Sequence, residues 1–180
     1  MNFKEYLKDH ADAFDGISQE SLNDFITGLE AIRESRGTLW VAGNGGSAAT
    51  ASHAVADFAK TSTQGGKGAI KTIAISEMVS LQTAIANDIS FTDGISKTLE
   101  LVASEGDALL VVSVSGLSPN LVEGFNFARK SGLKTFSLVG QRGSEIATRS
   151  NHAILVPSDD YQVVENIHMM LIHWFVKELS

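Results

Sequence analysis

From residue 38 onward the chain alternates short apolar runs with longer stretches of helical periodicity. The apolar runs cover residues 38–42, 69–75, 108–113, 134–139 and 153–156, and each gives way within a residue or two to Gly, Ser or Asn. Helical patterns follow at 47–61, 77–86, 92–103, 119–130 and 145–148, and a last helix spans 161–179. Short runs dominated by apolar residues, bounded by turn residues and separated by helices, read as repeated β–loop–α units. Such units predict an α/β fold: a doubly wound, five-stranded parallel sheet with helices on both faces, in three α/β/α layers.

Two amphipathic helices, over 2–15 and 19–36, precede the first strand; Ser18 and Ser21 suit the second one's start and Gly37 its end. A doubly wound sheet leaves them no obvious place, so their apolar faces predict self-association. The organisation expected is a single domain over 1–180, with 1–36 as a helical extension used in oligomerisation.

Composition narrows the chemistry. No apolar run nears the roughly 20 residues that cross a bilayer. The first 16 residues, with Lys4, Glu5, Lys8, Asp9, Asp12 and Asp15, are too charged for a secretory signal, so a cytoplasmic protein without a membrane partner is expected. With no cysteine, disulfides, thiolate nucleophiles and cysteine-held zinc drop out, and any metal must use His and carboxylates. A net charge of −7 argues against nucleic acid as a partner, while leaving room for a small anion held by backbone N–H groups.

Ligands of open parallel sheets sit beyond the carboxyl ends of the strands. After the first run comes Gly43-Asn44-Gly45-Gly46-Ser47, a turn that brings backbone N–H groups to a helix start and suits an anion or hydroxyls. A tight connection would have the same composition. After the third run comes Ser113-Val114-Ser115-Gly116-Leu117-Ser118-Pro119-Asn120, three hydroxyls and a glycine ahead of a helix that Pro119 can open. This segment can hold a phosphate without a lysine, or it is an N-cap with surplus serines. Two such loops in equivalent positions favour a ligand. His53 and Asp57 stand four residues apart and share a helix face, as two metal ligands or as a surface pair. The last helix sets Glu165, His168 and His173 in an apolar run, where each needs a partner or a function.

In this order, the glycine loop, His53, Asn87-Asp88, the serine loop, Ile167-His168 and Ile172-His173 resemble the motifs of bacterial phosphoheptose isomerases, enzymes built on the SIS domain. The resemblance runs from Asn2 to the C-terminus and lies in the combination, since SIS domains at large share only the serine loop. It implies isomerisation of sedoheptulose 7-phosphate to D-glycero-D-manno-heptose 7-phosphate through an enediol, with a divalent metal, zinc, in a homotetramer with sites between subunits. Carried over by position, Asn44, Gly45, Gly46, Ser47, Asn87 and Asp88 are substrate contacts and Ser113, Ser115 and Ser118 the phosphate cradle. His53, Asp57, Glu165 and His173 are the metal ligands; Asp57, Glu165 and His173 are the proton-moving groups, with Glu165 also on the substrate.

The chain departs from the family pattern at four places. Asp57 replaces the usual glutamate, Glu165 the usual glutamine, and Val114 and Leu117 the usual polar residues. Two imidazoles and two carboxylates would neutralise a divalent cation and suit zinc. Two other functions fit the same features: isomerisation of another phosphosugar in surface-polysaccharide or nucleotide-sugar synthesis, and a non-catalytic SIS module that binds a sugar phosphate or a protein.

Overall fold

A computed structural model describes residues 2–180, so Met1 of the leading segment lies outside the described residues. Five strands form the sheet: β1 (Leu39–Ala42), β2 (Thr72–Ala74), β3 (Ala108–Ser113), β4 (Lys134–Gly140) and β5 (His152–Val156). All neighbours pair in parallel, in the order β2-β1-β3-β4-β5. The helices are α1 (Phe3–Asp15), α2 (Gln19–Ser35), α3 (Gly46–Ala59), α4 (Val79–Asp88), α5 (Gly94–Val102), α6 (Pro119–Lys130), α7 (Ser144–Arg149) and α8 (Tyr161–Leu179). The doubly wound three-layer architecture expected from the pattern is the one observed.

Alternate residues of each strand feed opposite layers, because successive side chains leave a strand on opposite faces. Leu39 and Val41 join Leu110, Val112, Phe136 and Leu138 beneath α2, α3 and α8; Trp40 and Ala42 join Leu109, Val111 and Val139 beneath α5, α6 and α7. The chain moves from β1 out to β2 and returns past β1 to β3, so the strand order reverses between β1 and β3. Their following loops part to opposite faces there and leave a crevice.

Three differences from the sequence reading have local causes. The second strand is shorter than residues 69–75, because the Ile70 N–H donates to the Phe58 carbonyl at the end of α3 and Ile75 opens a 3-10 turn. The α4 helix runs on through Asn87 and Asp88. The leading helices do not share one fate: Phe25 of α2 is fully buried, stacked on Phe175 at 4.8 Å and edge-on to Phe136 at 5.2 Å between ring centroids. The chain itself therefore covers α2, whereas α1 leaves Phe3 72% and Leu7 51% exposed.

At the opposite end of the sheet from the crevice, buried Asp107 accepts from the Thr38 N–H at 2.7 Å, Trp40 Nε1–H at 2.9 Å and Ser104 N–H at 3.0 Å. Burial pushes its pKa up, but these three donors outweigh it and hold the carboxylate below its ordinary range. On α8, His168 is fully buried, and among the described residues neither ring nitrogen makes a hydrogen bond of normal geometry, the nearby Val139 backbone giving a weak polar contact only. Desolvation, opposed only by the Val139 backbone, lowers its pKa to about 3, so the ring is neutral.

Candidate functional site

The glycine loop after β1 turns through Gly45 at φ +55°, ψ −123°, a conformation closed to most side chains, and α3 begins at Gly46 without a side-chain cap. The serine loop after β3 turns at Gly116, φ +63°, where a Cβ would come within 2.5 Å of the Gly143 Cα. Ser113 Oγ accepts the Gly116 N–H at 3.0 Å and Ser115 Oγ accepts the Leu117 N–H at 3.2 Å. Each of these hydroxyl oxygens is thus engaged as an acceptor, and its O–H hydrogen remains to be donated. Ser118 stands at the N-cap of α6, yet its side chain makes no cap hydrogen bond. Asn2, Ser18 and Asp160 do cap α1, α2 and α8. Pro119 carries no N–H, and the Leu121 and Val122 N–H groups donate to the Ser118 carbonyl; the start of α6 therefore offers its dipole and the Asn120 N–H to something else.

Asn44, Ser47, Ser113, Ser115, Ser118 and Glu165 meet around a cavity of about 100 Å³, with Tyr161 at its edge. Glu165 is the one anion in this lining. A Cβ built on Gly46 would lie 2.5 Å from either Glu165 carboxylate oxygen, which fixes that carboxylate against the first residue of α3. A second cavity, of about 310 Å³, opens on the other side of Asn44 and is lined by Gly43, Gly45, Ser76, Gln82, Phe91 and Asn120 among others.

Farther along the same two helices, His53 and Asp57 of α3 meet His173 of α8. The two histidine Nε2 atoms are 2.8 Å apart, and Asp57 Oδ2 is 3.3 Å from His53 Nε2 and 3.7 Å from His173 Nε2. The imidazoles are about half exposed, and the Asp57 side chain is 15% exposed. Two ligands of a tetrahedral ion, with bonds of about 2.0–2.2 Å, stand roughly 3.3–3.6 Å apart. Of the observed separations, Asp57–His53 lies in that range, Asp57–His173 just beyond it, and the two imidazoles stand closer, at hydrogen-bond distance, so they would part slightly around an ion; the donor set of two imidazoles and a carboxylate suits a borderline divalent ion. Within one chain Glu165 is not among these donors: it precedes His173 by eight residues of α8, about 12 Å at 1.5 Å per residue. Asn87 and Asp88 lie exposed on the last turn of α4, bonded to each other at 2.7 Å, and line neither cavity.

The structure thus gathers Asn44, Ser47 and the three loop serines at one station, and His53, Asp57 and His173 at another. Sequence reasoning missed Tyr161, Ser76 and Gln82 as lining residues and gave Asn120 no role. For Asn120 the available signal was its place just after Pro119, in the first turn of a helix that faces the crevice.

A family model of the SIS domain matches residues 3–140. The chain is 32% identical to a phosphoheptose isomerase of Helicobacter pylori (strain P12) over 170 residues, 94% of this chain and 86% of that one. It is similar to the structure of a phosphoheptose isomerase from Neisseria gonorrhoeae, with a TM-score of 0.85 and 27% identity over 98% of this chain and 94% of that one. A phosphoheptose isomerase structure from Francisella tularensis shares the fold, with a TM-score of 0.88 and 22% identity, over 98% and 93% of the two chains.

Proposed function

The chain belongs to the SIS-domain family, among its phosphoheptose isomerases, and from that premise we propose that it converts sedoheptulose 7-phosphate to D-glycero-D-manno-heptose 7-phosphate. The observation that carries this reading is the convergence of His53, Asp57 and His173, brought together from positions 120 residues apart in the sequence. A module that only holds a sugar phosphate needs the serine loop but has no use for that trio.

In this reading the O–H groups of Ser113, Ser115 and Ser118 and the open start of α6 hold the phosphate. Asn44 and the Gly45–Gly46 backbone orient the sugar, whereas Asn87 and Asp88, expected as contacts, stand outside both cavities of their own chain. His53, Asp57 and His173 would hold a divalent ion, zinc by its donor set, which supplies polarisation of the sugar carbonyl when bound. Moving hydrogen between adjacent sugar carbons then requires a base to take the carbon-bound proton and return it one carbon away, a part a carboxylate can fill. Glu165 or Asp57 does this through a carboxylate oxygen, and His173 serves the hydroxyl side.

On α3 the cradle and the trio are separated by the seven residues from Gly46 to His53, about 10 Å. That span makes it natural for one chain's trio to act on a phosphosugar cradled by a neighbour, in a tetramer to which the exposed Phe3 and Leu7 of α1 contribute. In that assembly Glu165 of one chain would be the further carboxylate available to the ion held by another. A dianionic sugar phosphate does not cross membranes unaided, which supports a cytoplasmic enzyme that shares a compartment with its substrate.

The test is turnover of sedoheptulose 7-phosphate by chelator-treated protein, with and without added zinc, alongside His53→Ala and His173→Ala. Activity should depend on the ion, and each variant should lose both bound zinc and at least a hundredfold in rate. Full activity in either variant would remove the trio from the mechanism.

A further inference from the structure

The Asn44 and Asn120 side chains lie face to face across the switch point. Asn44 Nδ2 donates to Asn120 Oδ1 at 2.9 Å, and Asn120 Nδ2 donates to Asn44 Oδ1 at 2.9 Å. Asn120 is 4% exposed, whereas Asn44 is half-buried and lines both the serine-loop cavity and the larger cavity beside it. A closed pair of carboxamides is complementary only when each oxygen faces the other's nitrogen. Turning one amide alone sets oxygen against oxygen and N–H against N–H. The pair therefore fixes the rotation of both amides jointly, and it joins the glycine loop after β1 to the first turn of α6 after β3.

We infer that Asn120 is a positioning residue, which sets the direction in which Asn44 presents its amide to the sugar part of the ligand. The pair consumes one N–H and one lone pair of each amide. Asn44 is left with one N–H donor and one acceptor lone pair, aimed by Asn120 rather than by the ligand. Aiming a half-buried amide in advance spares the ligand the cost of ordering it on binding. The hydroxyls of Ser113 and Ser115 take their orientation from Gly116 and Leu117 instead, so these two phosphate donors do not take their direction from the pair. The inference rests on the proposed reading that a sugar phosphate occupies this crevice.

The experiment compares Asn120→Leu with the natural protein, and uses the smaller Asn120→Ser should the leucine variant not fold. Inorganic phosphate and sedoheptulose 7-phosphate are titrated calorimetrically into each protein, while the Asn44 side-chain NH₂ signals are followed by NMR. The expected result is a sugar-phosphate Kd raised about tenfold, the value of one neutral hydrogen bond, with the phosphate Kd unchanged and the Asn44 signals moved towards those of a free amide. A merely structural role would move both affinities together, and that outcome would overturn the inference. Unchanged Asn44 signals or an unchanged sugar-phosphate Kd would overturn it as well. If the natural protein binds no sugar phosphate, the functional reading fails, and with it the claim that Asn44 is aimed at a sugar; the NMR signals would then report the amide pairing alone.

Discussion

His168 makes the protein sensitive to mild acid in a way that a single substitution isolates. Its ring sits between α8 and the sheet, fully buried, with no hydrogen bond of normal geometry at either nitrogen and a pKa lowered to about 3. In the unfolded chain the same group titrates near 6.5. Between these values the unfolded state binds a proton that the native state refuses. The stability tied to neutral His168 is thus fully present above about pH 6.5 and is lost as pH falls towards 3, at up to about 1.4 kcal/mol per unit. Integrated from pH 7 to pH 4.5, the loss is about 2.5 kcal/mol. His168→Leu conserves the volume approximately, titrates nothing and removes two nitrogens without a normal hydrogen bond, each of which ordinarily costs about 1–3 kcal/mol when buried. Urea unfolding of both proteins, in chelator to keep metal linkage at His53 and His173 out of the comparison, should show the variant at least as stable at pH 8. The gap should widen by about 2.5 kcal/mol at pH 4.5. Parallel acid limbs would refute the argument, since every other titrating group is common to the two proteins.

Asp107 acts in a different pH window. Its folded pKa is depressed, so its contribution is present above about pH 4 and lost only as pH falls below that; at pH 7, Asp107→Ala should cost roughly 3 kcal/mol in urea unfolding by orphaning the Thr38, Trp40 and Ser104 donors. Glu165 brings a negative charge into the cavity that carries the loop serines. Glu165→Gln should therefore bind inorganic phosphate several-fold more tightly, by about 1 kcal/mol, in a calorimetric titration whose difference shrinks with added salt. Gly116→Ala should abolish phosphate binding in the same assay, because the new Cβ meets Gly143 and the backbone is left-handed there.

The layered fold was legible because β1 and β3 are buried on both faces and so read as almost unbroken apolar runs, while β4, buried beyond Lys134, still shows Phe136, Leu138 and Val139 around a buried Ser137. The second strand was read too long: Ile70 and Ile75 are apolar because they are buried, but their backbones serve the end of α3 and a turn. Burial fixes composition without fixing the partner of an N–H. The same limit hid the cover of α2, since the stacking of Phe25 on Phe175 joins residues 150 positions apart. At the site, the serine and glycine loops were visible because glycine and hydroxyl side chains cluster there for local reasons. Local spacing also put His53 and Asp57 on one face. It could not show that Glu165, two helical turns before His173, rests against Gly46 in its own chain, or that Asn44 and Asn120 exchange hydrogen bonds. Those facts depend on how two helices and two loops are set against each other in space.

His53 and His173 touch although most of the chain runs between them, and no cysteine is present to bridge any such span. An ion gripped by both would act as a reversible cross-link that staples α8 to α3 and closes a 120-residue loop. Its concentration would then become a dial on unfolding: free zinc at a hundred times its dissociation constant adds about 2.7 kcal/mol to the folded state. Amide exchange along α8 would slow in step, and the thermal midpoint would then report how well the protein is supplied with metal.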